Sequence, residues 1–458
     1  MTVPLSLRTG FLQDMLDRAQ NPSDGELASI IEKARKKKGL ALADVARLVH
    51  VGDPELTGRL FRAAAEVKQE IYGRRLVLFA PLYVSDHCVN ECCYCNFRAA
   101  NSGLERRRLT LAEVEKETRY LIAQGHKRIL LEAGEDPSRN TIDYIVSAIK
   151  RIYSVRTPKG NIRRVNVNIA ATTPGNYRKL KEAGIGTYQL FQETYHRPTY
   201  ESLHTGPKAD YERQLGAPGR AFEGGIDDVG LGVLFGLYDW RFEVLALAAH
   251  ARNLEAVRNV GPHTISVPRL REAPSVSYKP AHPVSDADFL KLIAILRLAM
   301  PYAGIILSTR ESPEIRSRAF DIGVSQASAG SVPVTGGYCS GARQPQFDIH
   351  DARPLREVVR AAAESDLIPS FCTACYRSGR TGERFMELSK PGHIHKFCDL
   401  NAALTFAEYL SDFGDAGLRR KGRELIRRCV GGIENLALRE EAGRRLAQIA
   451  RGRRDLYF

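Results

Sequence analysis

The sequence predicts an α/β protein built on a (β/α)8 barrel of the TIM type that spans residues 75–340. Two observations support this prediction. Eight short apolar runs in this region predict strands, and each is followed by a stretch that predicts a helix. Polar and charged residues cluster where these runs end, which is the face on which barrel enzymes place their sites. A doubly wound open sheet is the alternative that the same alternation allows.

The eight predicted strands begin with an apolar run at residues 76–84, which leads directly into a cysteine-rich loop. A run of this kind is typical of a buried parallel strand. An amphipathic helix follows at residues 109–124, with Thr110 and Glu113 spaced as a capping box. The remaining strands are predicted at residues 128–132, 165–170, 187–192, 229–234, 264–268, 304–308 and 322–325, with helices at 141–155 and 175–183 among them.

Helical segments flank the predicted barrel. Residues 1–74 are predicted to form an N-terminal helical cover, with Ser23 or Asp24 as a helix cap and apolar residues at helical spacing over 41–51. Residues 341–458 are predicted to form a C-terminal, mainly helical domain that holds a second cysteine cluster. Its helices are expected at residues 355–365 and 401–412, with two more in the basic tail from 416 to 451.

The composition predicts a globular cytoplasmic protein. Of the 458 residues, 43% are hydrophobic and 26% are charged, no apolar run is long enough to span a membrane, and the N-terminus lacks the charged and apolar regions of a signal peptide. The nine cysteines are an odd number, and six of them form two short-spaced triplets. That usage favours metal ligation in a reducing compartment over a disulfide framework.

The net charge of +14 raises the question of nucleic-acid binding. The basic residues are scattered, with short runs only at residues 36–38, 106–108 and 451–454, and no aromatic residues are interleaved to stack on bases. We therefore expect neither a nucleic-acid nor a membrane partner. The runs indicate solvated faces, with acidic small molecules or an acidic partner protein as the alternative.

The first cysteine triplet is Cys88, Cys92 and Cys95, spaced C-x3-C-x2-C. Three thiolates on one short loop can hold three irons of a 4Fe–4S cube and leave the fourth iron open, as catalysis at a metal requires. A structural zinc loop or a set of buried thiols is the alternative, although zinc sites more often use two CxxC pairs or a Cys/His set. Cys93 falls outside the pattern.

The second triplet is Cys372, Cys375 and Cys398, outside the predicted barrel. It again offers three thiolates and predicts a second 4Fe–4S cluster. A Cys3His zinc site remains open as the alternative, because His393 and His395 lie shortly before Cys398.

Polar residues at the ends of predicted strands are candidates for binding and catalysis. Tyr94, next to Cys95, is placed to shield a cluster and to pack beside an adenine ring. Arg269 and Arg310 follow the sixth and seventh strands, where their guanidinium groups suit bidentate binding of carboxylates. For each arginine, a buried structural ion pair is the competing interpretation.

The C-x3-C-x2-C spacing, with an aromatic residue before its last cysteine, resembles the signature of the radical S-adenosylmethionine (SAM) superfamily. The resemblance implies a (β/α)8 radical SAM barrel and an open iron that chelates the amino and carboxylate groups of S-adenosyl-L-methionine. Gly134-Glu135, after the second strand, resembles the motif that receives the amino group of SAM. The resemblance also implies that Glu193 binds a SAM hydroxyl and Arg197 a carboxylate, with surface ion pairs as the alternative. The departures from the pattern are Ala133 in place of the first motif glycine, Asn96 where glycine is common, and the extra Cys93.

Longer segments extend this resemblance to the HydG family, the tyrosine lyases that mature the active-site cluster of FeFe-hydrogenases. The segments are LYVSDHCVNECCYC, FQETYHRPTYESLH, GIDDVGLGVLFGLYDW, GPHTISVPRLR, STRESPEIR and CTACYRSGRTGERFM with the KPGHIHKFC that follows it. The resemblance implies a carbon–carbon lyase in which a radical derived from SAM cleaves the Cα–Cβ bond of L-tyrosine to p-cresol and dehydroglycine. It also implies that dehydroglycine becomes carbon monoxide and cyanide at the second cluster, where His263 helps to hold an additional iron with an L-cysteine ligand. For His263, a histidine bonded to the backbone near a strand start is the alternative.

The same resemblance implies an electron donor such as ferredoxin or flavodoxin, and other hydrogenase maturases as partners. The barrel segments are shared with ThiH, the 2-iminoacetate synthase of the thiamine pathway, so a lyase that stops at 2-iminoacetate is the nearest alternative. A non-enzymatic iron–sulfur or zinc binding module is a more distant one. Because a radical and a reactive imine must be kept from water, a tunnel from the barrel mouth to the C-terminal domain is predicted.

Overall fold

The computed structural model describes residues 3–341 and 343–458. The strands are β1 (Arg75–Ser85), β2 (Glu91–Cys92), β3 (Arg128–Ala133), β4 (Arg164–Asn168), β5 (Thr187–Gln189), β6 (His204–Thr205), β7 (Asp228–Gly232), β8 (Thr264–Ser266), β9 (Gly304–Leu307), β10 (Gln326–Ser328) and β11 (Ile368–Ser370). The helices before the barrel are α1 (Thr9–Arg18), α2 (Asp24–Ala34), α3 (Leu42–Leu48) and α4 (Pro54–Tyr72). Those within it are α5 (Leu111–Gln124), α6 (Ile142–Ser154), α7 (Pro174–Glu182), α8 (Arg197–Leu203), α9 (Tyr211–Leu215), α10 (Ala217–Glu223), α11 (Trp240–Arg258), α12 (Asp286–Ala299) and α13 (Pro313–Ile322). The C-terminal helices are α14 (Leu355–Glu364), α15 (Ala374–Arg377), α16 (Gly382–Ser389), α17 (His395–Phe413), α18 (Ala416–Gly431) and α19 (Leu436–Ala450).

Eight parallel strands close into a barrel in the order β1, β3, β4, β5, β7, β8, β9 and β10. Closure comes from β10, which pairs with β1 so that Val77 lies opposite Gln326 and Phe79 opposite Ser328. The predicted (β/α)8 barrel is confirmed. The open-sheet alternative is wrong, because an open doubly wound sheet leaves its two edge strands unpaired with each other.

Strand β1 shows why the sequence runs apolar without alternation. Every residue of β1 is buried. Phe79 and Tyr83 face the barrel interior, where they line a cavity, whereas Leu78 and Leu82 belong to the core beneath the outer helices. Both faces of a strand in such a barrel are covered, so both select apolar side chains.

The last barrel strand lies later than predicted. The prediction placed it at residues 322–325, but Ile322 is the final residue of α13 and the strand is Gln326–Ser328. Ile322 and Val324 are apolar because they pack in the core around the barrel, whereas Gln326 and Ser328 are buried polar residues in the strand itself. The most apolar stretch in this region is therefore the segment that leads into the strand, whereas the strand itself carries polar side chains.

The N-terminal helices cover one side of the barrel. Helix α2 begins at a capping box in which Ser23 and Glu26 satisfy each other's backbone N–H groups. Helix α4 packs against α12 and α13, and α3 packs against α11. The predicted capping box of Thr110 and Glu113 is also present, at the start of α5.

The C-terminal segment is joined to the barrel through β11, a strand that the sequence did not predict. It pairs in parallel with the beginning of β1, with Arg75 opposite Ile368. Helix α17 packs against β11, α18 and α19, so residues 368–413 lie at the end of the barrel where its strands begin. The division at residues 74 and 340 stays a prediction. Within the described residues, no helix is both long and apolar enough to cross a membrane.

Candidate active site

The first cysteine triplet lies at the mouth of the barrel, where the strands end. The loop that follows β1 places Cys88, Cys92 and Cys95 in the wall of one cavity of about 220 Å³. Cys93 does not line this cavity; its backbone N–H donates to the Leu203 carbonyl. The three cysteines of the predicted motif are thus brought together, and the fourth is turned away from them.

The chemistry of this triplet fits an iron–sulfur cluster. Burial raises the pKa of the Cys92 and Cys95 thiols, so these sulfurs become thiolates only when a cation compensates their charge. The Asn90 and Gln346 amides point N–H groups at Cys88 Sγ (3.8 Å) and Cys95 Sγ (3.7 Å). Such weak N–H contacts to sulfur are the kind that tune a cluster's potential.

Gly134 and Glu135 lie against the cysteine loop. A Cβ atom at Gly134 would stand 2.5 Å from the His87 carbonyl oxygen, so only glycine allows β3 to approach the loop this closely. Glu135 accepts a 2.7 Å hydrogen bond from Asn90 Nδ2, and its other oxygen pairs with Arg213. Both residues line the cavity, so the partial motif is positioned beside the triplet despite Ala133.

Tyr94 and Glu193 line the same cavity. The Tyr94 hydroxyl lies 2.8 Å from His204 Nε2, which fixes the ring beside the cysteines. Glu193 has a left-handed backbone with φ of 68°, and its carboxylate lies 2.6 Å from Lys208 Nζ. A strained non-glycine residue at a strand end is a frequent feature of functional sites.

The three candidate arginines have different surroundings. Arg310 lines the cavity, and its guanidinium stacks 3.3 Å from the centre of the Phe347 ring. Arg269 does not line it: its side chain is bound by Glu311, by Asp286 and by the Val284 carbonyl. The competing ion-pair interpretation therefore describes Arg269.

Arg197 is likewise held away from the cavity. Its side chain is 43% exposed and pairs with Glu201 and Glu212, each at 2.7 Å. It stands at the start of α8, where it also stacks on Tyr211. The surface ion-pair interpretation describes its geometry.

Glu132 is a cavity-lining residue that sequence reasoning did not single out. It lies near the end of β3, inside the barrel mouth, and is joined to Asn168 by a hydrogen bond. Burial of its carboxyl group raises its pKa to about 8. The available signal was its spacing, because Glu132 follows Leu130 by two residues and so shares its inward face.

The second triplet lines a smaller cavity at the opposite end of the barrel. Cys372 follows β11, Cys375 lies in α15 and Cys398 in α17, and His263 borders the same cavity. Burial raises the pKa of Cys375 to about 11 and that of Cys398 to about 12. The arginines Arg75 and Arg128 complete the wall, and their charges face the three sulfurs.

In the described part of the chain, the ligands of the alternative Cys3His zinc site are not brought together. His393 is exposed, and the Nε2 atom of His395 lies 2.6 Å from Asp399 Oδ2. Among residues 3–341 and 343–458, no three Cys, His, Asp or Glu side chains are placed to hold one metal ion. A 4Fe–4S cube distributes its three thiolates over three irons and does not need that arrangement.

The two cavities are built on the same strands. Leu130 and Ser328 line the first cavity, and Arg128 and Gln326, two residues earlier on β3 and β10, line the second. Arg128 Nη2 donates to Gln326 Oε1 at 3.4 Å. These side chains form the layer of the barrel interior that separates the cavities.

Comparison with known proteins agrees with this geometry. Residues 82–248 match the Radical SAM superfamily, and residues 266–368 match the Biotin and Thiamin Synthesis associated domain. A crystal structure of HydG, described as a maturase of the [FeFe]-hydrogenase, is 50% identical, with a TM-score of 0.96 over 99% of this chain and 100% of that chain. HydG from Carboxydothermus hydrogenoformans is 39% identical, with a TM-score of 0.85 over 98% of this chain and 100% of that chain. The 2-iminoacetate synthase of Escherichia coli (strain K12) is 29% identical over 364 residues, which is 79% of this chain and 94% of that protein.

A closed parallel barrel with a three-cysteine loop at its mouth defines a radical SAM enzyme, which binds SAM and a 4Fe–4S cluster. Within that class, the full-length match at 50% identity shows that the chain belongs to the HydG family. The non-enzymatic binding module is therefore wrong. The C-terminal match and the second triplet fit a second cluster.

Proposed function

We propose that this protein cleaves the Cα–Cβ bond of L-tyrosine to p-cresol and dehydroglycine, and that it converts dehydroglycine to carbon monoxide and cyanide for maturation of FeFe-hydrogenase. One observation carries the proposal. A single closed barrel holds a cysteine-lined cavity at each end, one suited to radical initiation and the other to a second metal chemistry.

Cys88, Cys92 and Cys95 would hold the first cluster, and Glu135 and Glu193 would bind SAM beside it. A reduced 4Fe–4S cluster held by these cysteines would supply the electron for the reductive cleavage of SAM. The chain's own contribution is shape and exclusion of water. Tyr94 lies in the cavity wall, and the Tyr83 hydroxyl donates to Gln346 Oε1 at 3.0 Å, which ties a residue of the segment after the barrel to β1 beside the cavity.

Arg310 is the residue that we assign to the substrate carboxylate. It faces the cavity inside the barrel mouth, and within the described chain no hydrogen bond or ion pair occupies its guanidinium. A guanidinium group in an enclosed cavity, with its N–H groups unoccupied, suits bidentate binding of a carboxylate. Phe347 supports the guanidinium plane from one side and limits its movement.

Cys372, Cys375 and Cys398 would hold the second cluster, with His263 and an added L-cysteine as ligands to an additional iron. An iron held there would supply Lewis-acid chemistry for the conversion of dehydroglycine to the two diatomic products. Arg75 and Arg128 place positive charge beside the thiolates. Passage through the barrel layer at Arg128 and Gln326 would connect the two cavities, as the predicted tunnel requires.

The partners belong to the same proposal. A low-potential donor such as ferredoxin or flavodoxin would reduce the first cluster, and other hydrogenase maturases would receive the product. All nine cysteines are free of disulfides, in keeping with the reducing cytoplasm that we propose as the location.

Product analysis of the anaerobically reconstituted protein tests the proposal. With SAM, tyrosine and a reductant, we expect p-cresol together with carbon monoxide, which deoxyhaemoglobin traps. Cys372→Ala should abolish carbon monoxide and leave p-cresol, whereas Cys88→Ala should abolish both. Cys93→Ala is the matched control, because Cys93 lies outside both cavities. If wild-type protein makes no p-cresol, the proposal fails.

The second candidate is 2-iminoacetate synthase, favoured by the match to the Escherichia coli enzyme over 79% of the chain. It predicts p-cresol without carbon monoxide. In that case Cys372→Ala would change neither product, so the same assay separates the two candidates.

A further inference from the structure

Glu132 and Arg310 share one cavity without forming a pair. Both line the barrel-mouth cavity, Glu132 from the end of β3 and Arg310 from the loop after β9. In the described chain, no salt bridge joins the carboxyl group of Glu132 to Arg310 or to any other basic side chain. One cavity therefore presents a carboxyl group and a guanidinium group that are both available to a ligand.

An α-amino acid has the complementary arrangement, a carboxylate and an ammonium on one carbon. With Arg310 as the carboxylate site, Glu132 is the acidic group in the same wall that can meet the ammonium. Asn168, which bonds Glu132, holds its carboxyl group in the cavity and adds no charge. Glu193 is already engaged with Lys208 at 2.6 Å.

We propose that Glu132 binds the amino group of the substrate opposite Arg310 and accepts one proton from its ammonium form. The inference rests on the proposed tyrosine lyase function, in which a hydrogen atom is taken from that nitrogen. In the step, one N–H bond breaks, its electron pair stays on nitrogen, and an O–H bond forms on the Glu132 carboxylate. No electron is transferred. The neutral amine that results has a lone pair to stabilise a nitrogen-centred radical, which an ammonium lacks.

The proton affinities of the two groups allow this transfer. Burial raises the pKa of Glu132 to about 8, the value of a peptide α-amino group, and so brings it much nearer to the somewhat higher pKa of the α-ammonium of a free amino acid. Proton transfer between groups of similar pKa costs little. The charged and titratable groups that face Glu132 are Arg310, which opposes the rise, Glu193, which adds to it, and the Tyr83 phenol, whose own pKa burial raises well above 10.

This arrangement predicts a proton count that can be measured. At pH 7 the carboxyl group of Glu132 holds a proton before substrate binds, and tyrosine arrives with an ammonium. The bound pair shares one proton, so binding releases the other. The release should approach one proton at pH 7 and decline as the pH rises through 8, because free Glu132 is half ionised at pH 8 and has less proton to release above it.

The experiment is anaerobic calorimetry of tyrosine binding to the reconstituted protein with SAM, in buffers of different ionisation enthalpy. Wild-type protein should release close to one proton at pH 7, and Glu132→Gln should release none. Glu132→Gln should also lower kcat for p-cresol by about 100-fold or more, with a much smaller change in KM, because glutamine still accepts a hydrogen bond. SAM binding should be unchanged.

Glu117→Gln is the matched control, since Glu117 is a buried glutamate that accepts N–H bonds from Tyr338 and Cys339 away from the cavity. It should retain both proton release and kcat. Wild-type protein that forms p-cresol but releases no proton would overturn the inference and leave the lyase function standing. A Glu132→Gln variant that keeps kcat within about threefold would overturn it as well. The wild-type proton count needs no variant, so it decides the question even if Glu132→Gln does not fold.

Discussion

The Nδ1 atom of His263 lies 3.4 Å from the Oδ1 atom of Asp228. Asp228 begins β7, His263 precedes β8, and the two strands are neighbours in the barrel. The Gly382 N–H donates to the same carboxylate oxygen at 3.1 Å, so the C-terminal segment helps to fix it. With Nδ1 directed at Asp228, the Nε2 atom is the nitrogen left for a metal beside the second triplet.

Asp228→Asn should therefore weaken the additional iron without affecting the first reaction. Loss of a carboxylate behind a histidine ligand typically lowers metal affinity by about 10- to 100-fold. Iron content after dialysis and the EPR spectrum of the second cluster measure the effect, and p-cresol formation should be retained. Asp227→Asn is the matched control, because Asp227 pairs with Lys181 at the surface. Equal iron loss in both variants would argue against a role for Asp228.

Arg310→Lys should impair use of tyrosine more than it impairs folding. The lysine keeps the positive charge but loses the planar fork and its stacking on Phe347, so kcat/KM for p-cresol should fall by about 100-fold. Steady-state kinetics with varied tyrosine measure this fall.

Arg269→Lys provides the contrast, because Arg269 is bound to Glu311 and Asp286 outside the cavity. It should lower the melting temperature and leave KM for tyrosine unchanged. A rise in KM in the Arg269 variant, with none in the Arg310 variant, would reverse the assignment made from the geometry.

Gly134→Ala should disturb the SAM site through a backbone clash. The added methyl group would lie 2.5 Å from the His87 carbonyl oxygen, so the cysteine loop must shift. Overpacking of this kind costs about 1–3 kcal/mol, and SAM affinity should fall by about tenfold or more. Titration of SAM and thermal melting measure both effects. Gly103→Ala is the control, because a Cβ atom there meets its nearest neighbour at an ordinary 3.6 Å; equal behaviour of the two variants would refute the explanation.

The sequence predicted those features that are encoded locally. The loop with Cys88, Cys92 and Cys95 lies within one short segment, and the preceding run at β1 is apolar on both faces, so both were readable from neighbouring residues. The capping boxes at Ser23 and Thr110 are equally local.

Features that depend on contacts between residues far apart in the chain could not be predicted from the sequence. Arg269 and Arg310 occupy similar places after consecutive strands, yet Glu311 binds only the first of them. Strand β11 is three residues long, and its pairing with Arg75 joins segments almost 300 residues apart. His263 was assigned from a family resemblance, since no spacing connects it to Cys372. Tertiary contact decides each of these cases.

Glu132 should make the stability of the protein depend on pH. Its pKa is about 8 in the folded protein and about 4.5 in an unperturbed chain, because burial penalises the charged form. Between these values the folded state holds a proton that the unfolded state has lost, so the free energy of unfolding falls as the pH rises from 4.5 to 8. The loss from this single group is on the order of 4 kcal/mol. Glu243 is buried with a similar pKa of about 8 and should contribute in the same direction.

Glu132→Gln should remove one of these two contributions. Relative to wild type, its melting temperature should be nearly unchanged at pH 5 and higher by a few degrees at pH 8, since glutamine has no proton to lose. Thermal melting of both proteins across this range, under anaerobic conditions, provides the comparison. Glu105→Gln serves as the control, because the Glu105 side chain is 88% exposed and its charge is not destabilised by burial. Parallel melting curves for wild type and Glu132→Gln would mean that Glu132 is not destabilised in its ionised form. A variant that is more stable at pH 8 but slow in forming p-cresol would show that the substrate site is maintained at a cost in stability.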